Sequence, residues 1–448
     1  MLCQRDPYQT CLRTLVTSCQ PYTGKARKGR KLWEVTLEQS PFYPEGGGQP
    51  SDTGSIAVLP SPSSSAAQAA PANAAAAVAV VDVQLTEDRG IVHYTTAAVS
   101  TGASVSAQVD WQRRFDHMQQ HTGQHLVSAV ADDVCGADTV SWELHERPQE
   151  GQAADESVSV DLSIASLSPE QISEIEQRCN GAIRNNRSVR QRVVVDLTSP
   201  DSLALLQSRQ FRGTLPSADK MKGVLRLIDI EAVDINACGG THVRSLGELQ
   251  VLKLVGLERT KGCVRLKFLA GSRVIAALGR MLARETVLNK ALGCGPADHA
   301  MIVGKLQAER KEAARTIKAL QDELADIQGP ELVAGLPETG GVAAYHRPDS
   351  DLPFLSYVAR AASSANPNAV LLLTTTTGPV SGKANAAQEG AFLMVGPPEL
   401  IKAAGGKAAA AMGGKGGGRP GLYQGKASNV EKASHAADVL KVAFAGEQ

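Results

Sequence analysis

Apolar and polar residues follow a period of two through much of the first hundred positions. LWEVTLEQSPFY (residues 32–43), VAVVDVQL (78–85) and GIVHYTT (90–96) read as half-buried strands, the last two joined through EDRG as a hairpin. Pro44 and Gly46–Gly48 stop the first run. LPSPSSSAAQAAPANAAAA (59–77) has no period and is broken by Pro and Ser, which predicts a disordered loop insertion rather than a helix. Residues 1–108 are expected to form a small β-barrel-like domain.

At Asp110 the period changes. Asp110 is a helix N-cap for WQRRFDHMQQHTGQHLVSAVADDV (111–134), with Phe115, Met118, Thr122, Leu126 and Ala129 as a buried-looking stripe. SVSVDLS (157–163), VRQRVVVDL (189–197) and GVLRLIDI (223–230) read as strands. Ser168 and Pro169 open an amphipathic helix between the first two. LQVLKLVGLER (249–259) and CVRLKFLAG (263–271) follow as strands with a basic outer face. This mixture is α+β and spans residues 109–278. From about residue 279 to 330 the chain becomes helical. Leu306, Ala313, Ile317, Leu320, Leu324 and Ile327 fall at heptad-like spacing, interrupted by Arg310. Such a stripe over 302–327 suits a homodimer seam as well as packing within the domain. Residues 331–448 predict a C-terminal α/β domain, because NAVLLLTTTTG (368–378) and GAFLMVG (390–396) are nearly continuous apolar strands.

At 448 residues the chain can hold about two to four domains. Its formal net charge of zero confines any nucleic-acid binding to local basic patches. KARKGRK (25–31) and GGKGGGRPGLYQGKA (413–427) are two such runs. The second reads as a flexible loop, or as a mount for Lys415, Arg419 and Lys426 against a phosphate backbone. Arg113 and Arg114 oppose the dipole at the start of their helix, which calls for a salt bridge or an anionic partner. The eight cysteines show no paired framework, and Cys3, Cys11 and Cys19 are spaced by chance. Scattered thiols, no signal-peptide pattern and no run of 18 apolar residues predict a cytoplasmic protein without a membrane span.

Two short motifs carry the chemistry. His121 and His125 are four residues apart on a helix, hence on one face. Cys238 and His242 are four apart in CGGTH, whose glycines let the backbone curl so that thiolate and imidazole converge. Three nitrogens and a sulfur suit zinc. Spacing alone equally permits His117 with His121. Gly46–Gly48 form a tight turn or a place where backbone approaches a ligand. No Lys-Ser or Lys-Thr follows, so this is not a P-loop. Asp234 and Asn236 are turn residues or partners that orient an imidazole. A metalloprotease would need HExxH, and Thr122 and Gly123 stand there instead.

HTGQHL (121–126) followed by CGGTHV (238–243) resembles the editing domain of alanyl-tRNA synthetases and the free-standing alanyl-tRNA editing proteins. FYPEGGGQPSDTG (42–54) is similar to the glycine-rich motif of the small domain that precedes it. RRFDHMQQHTGQHL, DINACGGTHV and the tail Gly-Arg-Pro…Gln-Gly-Lys-Ala look most like the long free-standing form. The resemblance implies His121, His125, Cys238 and His242 as the ligands of one zinc ion, and leaves His117 as a neighbour. It implies a hydrolase that removes serine from tRNA for alanine in trans. An alanine-sized activating pocket excludes serine poorly, so a second site must read the hydroxyl. Gln124 and Thr241 inside the motifs are the candidates for that, with Gln49 beside Gly46, Gly47 and Gly48. The tail resembles the tRNA-engaging C-terminal domain shared with certain phosphoesterases, but their Asp-His-His motif is missing. A class II activating domain is not expected either, because the chain opens almost directly on the β domain.

Overall fold

The computed structural model describes residues 1–24, 31–60, 77–145, 156–197, 199–208, 211–212, 225–260, 262–348, 350–376 and 388–446. The expected insertion at 59–77 and the basic run at 25–31 fall almost wholly outside them. The chain forms two compact units, Met1–Thr286 and Val287–Gln448.

The first unit opens with a short helix, α1 (Leu2–Arg5), and then a closed barrel. Its strands are β1 (Cys11–Pro21), β2 (Trp33–Leu37), β3 (Gly54–Val58), β4 (Val78–Thr86), β5 (Gly90–Thr95) and β6 (Ser104–Val109), in the order β1-β2-β5-β4-β3-β6. Closure leaves no strand edge unpaired. Alternate residues point inward, and Val16, Val35, Ile56, Val83, Val105 and Ala107 fill the interior with Phe42. His93 is fully buried among them: its Nε2 lies 2.7 Å from Ser40 Oγ and its Nδ1 2.9 Å from the Val35 carbonyl. Burial holds its pKa down to about 4, so the ring is neutral at pH 7.

From the barrel the chain passes into α2 (Trp111–Cys135). Asp110 caps it as expected, accepting from the Arg113 amide at 3.2 Å. The adverse charge at this helix start is answered within the fold. Arg114 is fully buried, pairs with Asp52, and donates to the Pro7 and Pro41 carbonyls at 2.7 and 2.8 Å. Arg273 makes a second buried pair with Asp116 at 2.7 Å. It lies in α5 (Ser272–Leu292), preceded in the chain by α3 (Pro169–Arg184) and α4 (Pro200–Leu206). These two pairs fasten α2 to the barrel on one side and to α5 on the other.

Two small sheets complete the unit. One comprises β7 (Thr139–Leu144), β8 (Val158–Leu162), β13 (Leu252–Thr260) and β14 (Cys263–Ala270), ordered β13-β14-β8-β7 and antiparallel throughout. The other comprises β9 (Val189–Val194), β10 (Phe211–Arg212), β11 (Leu225–Ile230) and β12 (Asp234–Ala237), ordered β10-β12-β11-β9. Met118, Leu126 and Val130 of α2 share a core with Val158, Val160, Leu266 and Phe268. The basic outer face expected of β13 and β14 is largely neutralised by ion pairs, which sequence does not display.

The second unit carries α6 (His299–Val333), α7 (Leu352–Ala365), α8 (Pro398–Ala411) and α9 (Ala433–Ala445) around a five-stranded sheet. Its strands are β15 (Val342–His346), β16 (Val370–Thr376), β17 (Gly390–Val395), β18 (Gly414–Arg419) and β19 (Leu422–Ala427), ordered β15-β16-β17-β19-β18. Only β15 and β16 pair in parallel, across the α7 crossover. Every residue of β16 is buried, as the continuous apolar run predicts. Leu372, Phe392 and Met394 face α8 and α9, while Leu371, Leu373 and Leu393 face α6 and α7. The glycine-rich tail is not a loop. Residues 414–427 form a β-hairpin, with Tyr423 stacked on Phe392 at 6.2 Å between ring centroids. On α6, Ala325, Gly329 and Val333 are buried and Leu324 of the heptad stripe packs against the same core, whereas Leu306, Ile317, Leu320 and Ile327 are exposed.

Candidate metal centre

The two motifs meet where α2 passes the loop after β12. One donor atom from each of His121, His125, Cys238 and His242 lies within 4.8 Å of the others. Cys238 Sγ is 3.3 Å from His121 Nε2 and 3.3 Å from His242 Nε2. All three histidines are buried. His117 is buried too but stays outside the cluster, and its Nδ1 has no hydrogen-bond partner among the described residues. The cluster thus groups His121 with His125 and leaves His117 out.

Each imidazole is held from behind. His121 Nδ1 lies 2.8 Å from Gln49 Oε1, His125 Nδ1 3.1 Å from Asp234 Oδ2, and His242 Nδ1 3.1 Å from Thr122 Oγ1. Fixing Nδ1 in this way turns each Nε2 to the shared centre, the arrangement outer partners give to metal-ligating histidines. The donor set therefore fits a metal ion on geometry alone. Two glycines make room. A Cβ on Gly240 would stand 2.1 Å from His121 Cε1, and one on Gly48, at φ +84°, would stand 2.8 Å from the Trp142 indole. Trp142 in turn lies against His121, 4.6 Å between ring centroids.

Electrostatics agree with a ligand role at Cys238 and His242. Burial would raise the Cys238 thiol, but the neighbouring His121 and His242 rings reverse this and hold its pKa well below the usual thiol range. Burial pushes His242 down to about 3, which keeps that ring neutral. His125 goes the other way. Burial would lower its pKa, but the bonds to Asp234 and Cys238 outweigh that and raise it to about 10.

The cluster opens on a cavity of about 620 Å³ whose wall includes His121, His125 and Cys238 together with Gly47, Gln124, Trp142, Asn236 and Arg212. Gln124 therefore stands at the cavity, donating to Ser128 Oγ at 2.9 Å. Thr241 stands behind the ligands, fully buried. It accepts from Gln49 Nε2 at 2.9 Å and donates its amide to Gln49 Oε1 at 3.0 Å. Gly46 pairs with Gln49 across the turn. Lys415, Arg419 and Lys426 belong to the hairpin of the second unit and are exposed. Thr122, Trp142 and Arg212 carry no signal of their own in sequence. Thr122 was legible only as a member of the buried stripe of α2, not as a partner of His242.

Residues 225–267 match the family model described as the threonyl and alanyl tRNA synthetase second additional domain. That span runs from β11 through β14 and contains Cys238 and His242. The mouse protein named alanyl-tRNA editing protein Aarsd1 is 35% identical over 98% of this chain and 97% of its own length. This chain belongs to the alanyl-tRNA editing protein family. The zebrafish member of the editing family is 33% identical over 98% of this chain and 96% of its own. The alanine–tRNA ligase of Halobacterium salinarum is 30% identical over 74% of this chain but only 33% of the ligase. Family and ligase thus share the part that bears the metal motifs. All eight cysteines are free, and no helix among the described residues is long and apolar enough to cross a membrane.

Proposed function

We propose that this chain is a trans-editing hydrolase that cleaves the ester between serine and tRNA for alanine, with zinc bound by His121, His125, Cys238 and His242. The observation that carries the reading is a complete donor set of three imidazole nitrogens and one thiolate sulfur, each imidazole pinned from behind, at the wall of a cavity large enough for an aminoacyl group. A zinc ion held by these four residues would supply Lewis acidity toward an ester oxygen. The chain's own residues do the rest. Gln49, Thr122 and Asp234 hold the imidazoles in one tautomer. Trp142 screens one side of His121 from water. Gln124, between the two histidines and facing the cavity, is the polar group placed to orient an attacking water or the serine hydroxyl.

The substrate's length calls for a second contact, and Lys415, Arg419 and Lys426 of the second unit supply it to the tRNA backbone. Lys415 and Lys426 are direct cross-strand partners, an arrangement of like charges that is unfavourable without an anion. The exposed heptad stripe of α6 would seat a second copy of the chain, which sedimentation at two concentrations decides. Free thiols fit the cytoplasm. One observation favours a different reading: four protein donors close a tetrahedral shell, as structural zinc sites do. The chain would then bind tRNA without turnover.

Deacylation of serine-charged tRNA for alanine separates the two. Release of serine at least a hundredfold above background, lost in Cys238→Ala and absent with alanine-charged tRNA, is the expected result. Zinc and tRNA binding without release would leave only the structural reading.

A further inference from the structure

The first eight residues lie outside the barrel, yet they touch both segments that bear metal ligands. Toward the Cys238 loop, Gln4 Nε2 donates to the Gly239 carbonyl at 2.8 Å. Beyond that loop, Tyr8 Oη accepts from the Arg244 amide at 3.1 Å and donates to Glu248 Oε2 at 2.6 Å. The Arg244 guanidinium covers the Tyr8 ring at 4.0 Å and reaches Asp6 at 3.3 Å. Toward α2, the Pro7 carbonyl accepts from Arg114 at 2.7 Å, and Tyr8 packs on Trp111 with 5.4 Å between centroids. Between these ends Cys3 is fully buried, and burial raises its thiol to about 11, so it serves as a small apolar anchor.

One side chain ties the segment and the ligand loop together. Arg226 on β11 donates through Nη1 to the Cys238 carbonyl at 2.6 Å and through Nη2 to the Gln4 carbonyl at 3.3 Å. A planar guanidinium can hold two carbonyls at a fixed separation, which an ammonium cannot. The ligand loop is thus gripped at the carbonyls of residues 238 and 239. Its glycines, which allow the curl, would otherwise leave it the loosest part of the donor set.

We propose that residues 1–8, locked by Arg226, act as a strap that sets the Cys238 loop against α2, so that Gln4 and Arg226 are positioning residues for the metal. No contact of either with substrate is required. The inference rests on the metal site proposed above but not on turnover.

The test uses the full chain and measures metal directly. Zn²⁺ affinity is read by chelator competition, and Co²⁺ substitution reports the thiolate-to-metal absorption and the coordination geometry. Gln4→Ala and Arg226→Gln are expected to weaken Zn²⁺ about 10- to 100-fold, the range for outer partners of metal ligands. Both should also alter the cobalt spectrum, with far-UV circular dichroism unchanged. Arg226→Lys keeps the charge but not the two-carbonyl grip and should resemble Arg226→Gln. Full affinity in Arg226→Lys would show that charge alone matters and would overturn the strap, as would native affinity and spectrum in Gln4→Ala. Should Arg226→Gln fail to fold, Gln4→Ala, at a half-buried position, still decides. A wild-type chain that binds neither metal would instead remove the metal site itself.

Discussion

The molecule has two antiparallel ribbons studded with basic residues, and they differ in what meets those residues. On β13–β14, Lys253 lies 2.8 Å from Glu176, Arg265 2.8 Å from Asp161 and Lys267 2.6 Å from Glu258. On β18–β19, Lys415, Arg419 and Lys426 are exposed and have no ion-pair partner among the described residues. The two ribbons look alike as charge patterns. On the first, three of the cations are held against carboxylates of the same unit and only Arg259 is not, whereas on the second all three are unpaired among the described residues. Basic composition, then, is a poor guide to nucleic-acid contact until the pairing of each side chain is known.

The contrast can be broken or sharpened by substitution. The largest effect is expected from replacing Lys415, Arg419 and Lys426 together with Ala. Affinity for tRNA should fall about tenfold or more at low salt, and the slope of log K against log salt should flatten by about 2 to 3. Filter binding across a salt series measures both. Unchanged affinity would leave Lys415 as a guard of an exposed edge strand, since β18 ends its sheet. A smaller effect is expected from Lys415→Ala alone. Binding should weaken by a few-fold while the hairpin gains a few tenths of a kcal/mol from relief of the Lys415–Lys426 repulsion. Thermal melts set beside binding curves would reveal opposite signs. The smallest effect belongs to the other ribbon. Lys253→Ala should leave tRNA affinity untouched and cost at most about 1 kcal/mol, the range of an exposed pair. A loss of binding there would erase the distinction.

Sequence and structure agree most where chemistry constrains spacing. His121, His125, Cys238 and His242 were legible as a candidate donor set because their helical and turn spacings suit a metal, although spacing alone could not separate His117 from His125. The choice became physical only when Gln49 and Asp234 were seen behind His121 and His125. The runs that hold β2, β4 and β5 were legible as strands from their apolar and polar pattern, whereas β1, β3 and β6 were not singled out. Partners distant in the chain were not legible. Asp52 lies 62 residues before Arg114, and nothing in either neighbourhood names the other. Thr122 was hidden for a different reason: its role depends on a histidine 120 residues away. The tail misled by composition, since glycine signals a loop unless the ladder that pairs it is known.

The buried Arg114–Asp52 pair has a consequence for how this protein can change. Both side chains are wholly inaccessible to water. Removing either one strands a charge in the interior, at roughly 3–5 kcal/mol, whereas exchanging both for a well-packed apolar pair can be neutral. No sequence of tolerable single substitutions leads from one state to the other. The junction between the barrel and α2 is therefore entrenched. Descendants of this chain inherit that joint intact or have to rebuild it in a single move.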